Sequence, residues 1–121
     1  MANLILIVEN DQDFRQMLQE IVEGIGFTAV TVDRATEALK IIKDQIISLI
    51  LLDIKMPKVH GDDFLRFIRK QGKRIPVVVI SGYLTPEVLE VLRENGVSQV
   101  IVKPFKVQRV AQAVIQVMEG A

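Results

Sequence analysis

The amino-acid sequence predicts one α/β domain with a doubly wound parallel β-sheet, covered by helices on both faces. Two observations predict this class. Four short runs, beginning at Leu4, Ile46, Val77 and Val100, are apolar at nearly every residue, which is typical of strands buried on both faces. Between these runs the apolar residues recur at the spacing of a helical stripe. Strands that alternate with helices form parallel sheets, because each helix crosses over one face of the sheet.

Five strands are predicted in chain order, at residues 4–8, 27–32, 46–52, 77–80 and 100–102. The second differs from the others because apolar and polar residues alternate along it. Alternation indicates one buried face and one wetter face, so this strand is predicted to lie at the edge of the sheet.

Five helices are predicted by stripes of apolar residues that begin at Phe14, Ala35, Phe64, Val88 and Val107. The residues at several helix ends agree with these stripes. Thr85 is a candidate N-cap, followed by a proline and an acid in the first turn. Glycines stand where helices are expected to end, at Gly24, Gly26, Gly72 and Gly96.

Composition places the chain among single globular domains and excludes several functions. It has 121 residues, of which 50% are hydrophobic, and residues 1–121 are predicted to form one domain. The formal net charge is zero and the basic residues are scattered, so neither nucleic acid nor a membrane surface is an expected partner. Absence of cysteine excludes disulfides and thiol chemistry. With no apolar run of about 20 residues and no basic leader, the cytoplasm is the expected compartment.

Polar side chains follow the predicted strands at the points where the strands end. Glu9, Asn10 and Asp11 follow the first strand and Asp53 follows the third. The fourth strand is followed by Ser81, and the fifth by Lys103. In open α/β sheets the functional crevice lies beyond the carboxyl ends of the strands, so these groups are expected to meet.

Each of these residues also has an ordinary structural interpretation. Asp53 could cap a turn, Ser81 could belong to a turn with Gly82, and Lys103 could be a surface lysine. Asp11 could cap the following helix. Four strands that each end on a complementary polar group favour a common site. Carboxylates with an amide oxygen suit Mg²⁺, and a carboxylate beside an ammonium and a hydroxyl can accept a phosphoryl group.

The chain resembles a response regulator receiver domain of the chemotaxis type over its full length. Four stretches carry the resemblance, LILIVENDQDFR, LILLDIKMPKVHGDDFLRFIR, VVVISGY and VIVKPF. The resemblance implies a flavodoxin-like sheet with strand order 2-1-3-4-5. It also implies Asp53 as phosphoacceptor, Lys103 as the phosphate-contacting lysine and Ser81 as the switch hydroxyl. Glu9, Asn10, Asp53 and the backbone carbonyl of Lys55 would hold Mg²⁺, and the Lys103–Pro104 bond is expected to be cis.

The sequence departs from the family pattern at two of these places. Asn10 stands where a second carboxylate is usual, which predicts weaker Mg²⁺ binding because an amide oxygen carries no charge. Asp11 is expected to point elsewhere. Val100 replaces a common aromatic residue, so the aromatic-switch coupling of the family is not expected in its usual form.

Three residues in loops complete the predictions. Lys55 and Tyr83 lie two residues after Asp53 and Ser81, and both are hypothesised to shield an acyl phosphate from water. An alternative for Tyr83 is a partner-binding aromatic on an exposed loop. His60, the only histidine, is expected to be solvent-exposed rather than catalytic.

The resemblance implies a signalling domain rather than an enzyme. Its expected partners are a histidine kinase or phosphotransfer protein, and a downstream protein that contacts the face of the fourth helix, fifth strand and fifth helix. Weak self-association stays open, as does whether the chain is a stand-alone regulator or part of a larger protein. The competing hypothesis is a degenerate receiver that binds partners without phosphorylation. A flavin carrier is disfavoured by the acidic turn after the first strand, and a haloacid-dehalogenase-like phosphatase by Lys55, where a second aspartate is needed.

Overall fold

The computed structural model describes residues 4–54, 61–82 and 84–120. Within these residues the chain alternates strands and helices in the predicted order. The strands are β1 (Leu4–Val8), β2 (Thr28–Val32), β3 (Leu49–Leu52), β4 (Val77–Ser81) and β5 (Gln99–Val102). The helices are α1 (Gln12–Gly24), α2 (Ala35–Asp44), α3 (Gly61–Lys70), α4 (Pro86–Glu94) and α5 (Val107–Gly120). None of these helices combines the length and the apolar character that a membrane crossing requires.

The strands form one parallel sheet in the order β2-β1-β3-β4-β5. This order confirms the predicted fold class. β2 lies at one edge, as the alternating pattern of its sequence predicts, and pairs with β1 from Leu4↔Thr28 to Val8↔Val32. β1 and β3 occupy the interior, so their carboxyl ends lie side by side.

Two apolar cores cover the two faces of the sheet. Within β1, Leu6 and Val8 pack with α2, α3 and α4, whereas Ile5 and Ile7 pack with α1 and α5. Successive side chains of a strand point to opposite faces, so a strand between two helical layers must be apolar at every residue. This arrangement explains the continuous apolar runs of β1, β3 and β4, which are buried along nearly their whole length. The prediction of burial on both faces is wrong for β5, which lies at the other edge of the sheet and leaves Val102 59% exposed.

The third apolar run extends further than the strand it contains. The run begins at Ile46, whereas β3 begins at Leu49. Pairing with β1 determines this start, because Leu49 aligns with Ile5 and the Ser48 N–H already donates to the Leu4 carbonyl at 2.9 Å. Ile46 precedes the paired region and is 79% exposed, so it adds nothing to the core.

Helix ends follow the punctuation in the sequence. The Thr85 side chain accepts a hydrogen bond from the Val88 N–H at 3.1 Å, which confirms it as the N-cap of α4. Gly26, Gly72 and Gly96 follow α1, α3 and α4 with φ angles of 97°, 80° and 68°. Because a side chain is strained at such angles, glycine is favoured at these helix ends.

Candidate functional site

Glu9, Asp53 and Lys103 follow β1, β3 and β5 and remain hydrogen-bonded into the sheet. The Glu9 N–H donates to Val32, that of Asp53 to Val8 and that of Lys103 to Ser81, at 3.0 to 3.1 Å. Each lies two residues beyond a strand residue that packs on the sheet face covered by α1 and α5, which we call the α1–α5 core. These strand residues are Ile7, Leu51 and Ile101. Side chains two positions apart share a face, so the sheet directs all three toward the same side.

The three side chains meet at the carboxyl end of the sheet. The Lys103 ammonium nitrogen lies 3.2 Å from Oε1 of Glu9 and 3.5 Å from Oδ2 of Asp53. Glu9 is 1% exposed and Asp53 is 8% exposed. Buried charges are stable only when paired, and the ammonium supplies one positive charge for two carboxylates. With both acids ionised, the site therefore retains one net negative charge.

Burial raises the pKa of the Glu9 carboxyl above its ordinary value, and the neighbouring Asp53 raises it further. The backbone N–H of Asp11 and the Lys103 ammonium act in the opposite direction. Burial and a like charge both disfavour the ionised acid, whereas a donor and a cation favour it. A second cation at this site would shift the balance toward the ionised form.

The turn between β1 and α1 is held by backbone and side-chain hydrogen bonds. The Asp11 N–H donates to Oε2 of Glu9 at 3.1 Å, and Oδ1 of Asp11 accepts from the Phe14 N–H at 3.0 Å. Asp11 is therefore the N-cap of α1, and its carboxylate is engaged there, as the sequence predicts. Asn10 lies in this turn and is exposed.

Ser81 ends β4 and is fully buried. Its backbone carbonyl accepts from the Lys103 N–H at 3.0 Å, so the two residues are neighbours across the sheet. The Lys103–Pro104 peptide bond is cis, which confirms the prediction for this position. Val100 is partly buried and packs against the core beneath α2, α3 and α4. Lys55, His60 and Tyr83 lie outside the described residues, and the hypotheses that concern them stay predictions.

The donor set fits a hard divalent cation. Mg²⁺ is usually bound through one or two carboxylates, and waters complete its octahedron. Glu9 and Asp53 could supply those carboxylates, and with both acids ionised the negative charge that Lys103 leaves unbalanced favours a further cation. Among the described residues no group of three or more acidic or histidine side chains could hold a metal. The remaining ligands would therefore be neutral oxygens, such as the Asn10 amide, and water.

Two residues that contact this site were not predicted from the sequence. The Arg15 guanidinium donates to the backbone carbonyl of Glu9 at 2.9 Å and to that of Asn10 at 3.4 Å, which ties the acidic turn to α1. The Lys103 ammonium lies 4.3 Å from the centroid of the Phe14 ring. The sequence pattern places Phe14 only in the apolar stripe of α1. Sequence spacing gives no signal for either contact, because both arise when α1 packs beside the strand ends.

The fold and the site define a structural class, a doubly wound parallel α/β domain with two acids and a lysine close together at the carboxyl edge of its sheet. The model of the response regulator receiver domain family matches residues 5–115, and the chain belongs to that family. This membership confirms the resemblance seen in the sequence. Receiver domains belong to two-component systems, generally bind Mg²⁺ at the phosphorylation site, and interact with histidine kinases and downstream effectors.

Individual proteins show how similar the chain is to known members. It is 32% identical over 111 residues to the probable C4-dicarboxylate response regulator DctR of Bacillus subtilis, covering 90% of this chain and 49% of that protein. The chain thus spans about half the length of that relative. It spans 15% and 30% of the length of two further relatives.

Solved structures agree with the fold. The receiver domain protein of Methanospirillum hungatei superposes with a TM-score of 0.93 at 23% identity, covering 99% of this chain and 96% of that one. The beryllofluoride-activated NtrC4 receiver domain dimer superposes with a TM-score of 0.89 at 27% identity, covering 98% of each chain. Both support the assignment of the sheet order and the helical layers.

Proposed function

We propose that residues 1–121 form one phosphoacceptor receiver domain, which takes a phosphoryl group on Asp53 and switches a protein-interaction surface. One observation carries this proposal. The Lys103 ammonium lies between the Glu9 and Asp53 carboxylates, at 3.2 and 3.5 Å, at the buried carboxyl end of the sheet. A nucleophilic acid, an acid for a metal and a cation for a phosphoryl oxygen are the groups that this reaction requires.

The proposed reaction is a direct transfer. An oxygen of the Asp53 carboxylate attacks phosphorus, and the bond from phosphorus to the donor atom breaks, with the electron pair leaving on the donor. The donor is a phosphohistidine of a histidine kinase or phosphotransfer protein. Lys103 neutralises charge on a phosphoryl oxygen, and the Ser81 hydroxyl donates a hydrogen bond to another. Phosphoryl transfer depends mainly on positioning and charge stabilisation, which these rigid strand ends provide.

Mg²⁺ is the proposed cofactor. Glu9 and Asp53 would hold it, with the Asn10 amide oxygen and the backbone carbonyl of Lys55. When bound, the ion neutralises charge on the carboxylates and on the phosphoryl group. Asn10 supplies a neutral ligand, so the affinity is expected to be lower than with two adjacent carboxylates.

The output surface is proposed to be the face of α4, β5 and α5. Each of these elements exposes a large apolar side chain, with Leu89, Val102 and Val107 exposed by 44%, 59% and 53%. Phosphorylation would bias a two-state equilibrium of this face toward a form that binds a downstream protein. Weak self-association through the same face is a further proposal, and the NtrC4 receiver is described as a dimer in its activated form.

The proposed domain acts on itself rather than on a separate substrate. It promotes its own phosphorylation and the later hydrolysis of the acyl phosphate. Lys55 and Tyr83 are proposed to slow that hydrolysis by shielding the phosphoryl group. The cytoplasm is the proposed compartment, and a chain without cysteine is compatible with its reducing environment.

Incubation of the chain with acetyl phosphate, with and without Mg²⁺, tests the proposed function. Intact-mass spectrometry is expected to show the addition of one phosphoryl group when Mg²⁺ is present, and fluorine NMR is expected to show Mg²⁺-dependent binding of beryllofluoride. If neither occurs at any Mg²⁺ concentration, the chain is a degenerate receiver. Asn10 and the aliphatic Val100 motivate that second candidate, which would bind partners identically with and without acetyl phosphate.

Lys103→Met is expected to slow phosphorylation by acetyl phosphate about 100-fold, the usual effect of removing one preorganised donor to a reacting oxygen. Methionine keeps the apolar stem and removes the ammonium. Initial rates measured by intact mass at saturating Mg²⁺ report the change. Lys106→Met is the matched control, because Lys106 is exposed three residues away. Equal rates in the two variants would remove Lys103 from the proposed mechanism.

Asn10→Asp is expected to tighten Mg²⁺ binding about tenfold, because it adds a carboxylate to a site with few charged ligands. Isothermal titration calorimetry with MgCl₂ measures the affinity. Asp11→Asn serves as the control, since asparagine retains the helix cap while one nearby charge is lost. Only the Asn10→Asp variant should bind Mg²⁺ more tightly than the wild type. An unchanged affinity in Asn10→Asp would mean that the metal does not contact residue 10.

A further inference from the structure

The Lys103 ammonium has an aromatic neighbour as well as its two carboxylates. Its nitrogen lies 4.3 Å from the centroid of the Phe14 ring, inside the range of about 6 Å over which a ring face attracts a cation. The same nitrogen lies 3.2 Å from Glu9 and 3.5 Å from Asp53. A single ammonium is therefore held by a ring on one side and by two carboxylates on the other.

The position of the Phe14 ring is itself determined by local structure. Phe14 is the third residue of α1, and its N–H donates to the capping side chain of Asp11 at 3.0 Å. Its ring packs against Phe105 with centroids 5.9 Å apart and planes inclined by 52°, a favourable geometry for an aromatic pair. The helix cap and the ring pair thus hold Phe14 beside the ammonium before any ligand arrives.

We propose that Phe14 is a positioning residue for Lys103, and this inference rests on the proposed function. A lysine side chain has four rotatable bonds and loses much entropy when it is confined. The ring face restricts the ammonium to the side of the site where the phosphoryl group would bind. An aliphatic side chain of similar size fills the same space without this attraction, so the aromatic ring is what matters.

Phe14→Leu is the test variant, and its first measurement needs no phosphorylation. Protons of the Lys103 side chain near the ammonium lie over the ring, so their NMR resonances are expected upfield of those of other lysines. The upfield shift should disappear in Phe14→Leu and persist in Phe14→Tyr. Phe27→Leu is the matched control, because Phe27 packs in the same α1–α5 core without any role in the site.

The second measurement is the rate of phosphorylation by acetyl phosphate with Mg²⁺. Phe14→Leu is expected to lower it about three- to tenfold, the size of one cation–π contact, whereas Phe14→Tyr restores it to within about twofold. If Phe14→Leu does not fold, Phe14→Met takes its place with the same expectation.

Two outcomes would overturn the positioning role. One is a wild-type Lys103 without upfield resonances, and the other is a rate loss in Phe27→Leu equal to that in Phe14→Leu. Failure of the proposed function looks different. In that case the NMR resonances of Lys103 follow the expected pattern, but neither the wild type nor any variant gains a phosphoryl group.

Discussion

Asp53→Asn will abolish phosphoryl uptake from acetyl phosphate, with and without Mg²⁺. An amide oxygen is a far weaker nucleophile than a carboxylate, so no acyl phosphate forms at that position. The fold is expected to survive, because Lys103 keeps Glu9 as a partner at 3.2 Å and one of two like charges is removed from a buried site. Intact mass after incubation with acetyl phosphate measures uptake, and urea unfolding checks the fold.

Asp63→Asn is the matched control for this prediction. Asp63 lies on α3, is half-exposed, and pairs with Arg66 at 3.0 Å. Its replacement removes the same charge without touching the strand ends, so uptake should match that of the wild type. Phosphorylation of Asp53→Asn at the wild-type rate would show that another group is the acceptor, and the proposed function would then need a different residue.

Much of the fold could be predicted from the sequence because burial on both faces leaves a direct signature. Strands such as β1 are apolar at every residue since one half of their side chains faces α1 and α5 and the other half faces α2, α3 and α4. Strand boundaries are less well encoded. Ile46 and Leu49 are both apolar, and only pairing with β1 decides that the strand begins at Leu49.

The site was predictable in part for a related reason. Parallel strands end at one edge of the sheet, so polar residues directly after them were expected to meet, and Glu9, Asp53 and Lys103 do meet. Phe14 and Arg15 were missed because their contacts depend on how α1 packs beside that edge. The apolar stripe of a helix predicts that a residue faces the core, but it does not predict which side chain that residue contacts.

Sheet order explains why these particular groups come together. β3 lies between β1 and β4, with β5 beyond β4. Asp53, the proposed acceptor, therefore follows a central strand, Glu9 follows the neighbouring strand β1, and the Lys103 side chain extends back from the edge strand β5. The length of the lysine side chain brings its ammonium to 3.2 Å from Glu9 and 3.5 Å from Asp53.

Gly61→Ala will lower the free energy of unfolding by about 2 kcal/mol, the balance of overpacking against the reduced entropy of the unfolded chain. A Cβ at position 61 would lie 2.6 Å from the Ile54 Cα and 2.7 Å from the Asp53 carbonyl oxygen. Both are backbone atoms, so neither can rotate away. The Gly61 N–H also donates to the Ile54 carbonyl at 2.6 Å, which ties the start of α3 to the segment that follows β3.

Gly24→Ala provides the matched control, measured by the same urea unfolding experiment. A Cβ at Gly24 meets no heavy atom within 4 Å, and Gly24 is the last residue of α1. Alanine is expected to raise the free energy of unfolding there by about 0.5 kcal/mol, because it favours the helix over the unfolded chain. The two glycine substitutions should thus have opposite signs. A neutral Gly61→Ala would mean that the backbone after Asp53 can shift to admit a Cβ, and Asp53 would then lack the rigid position that the proposed transfer requires.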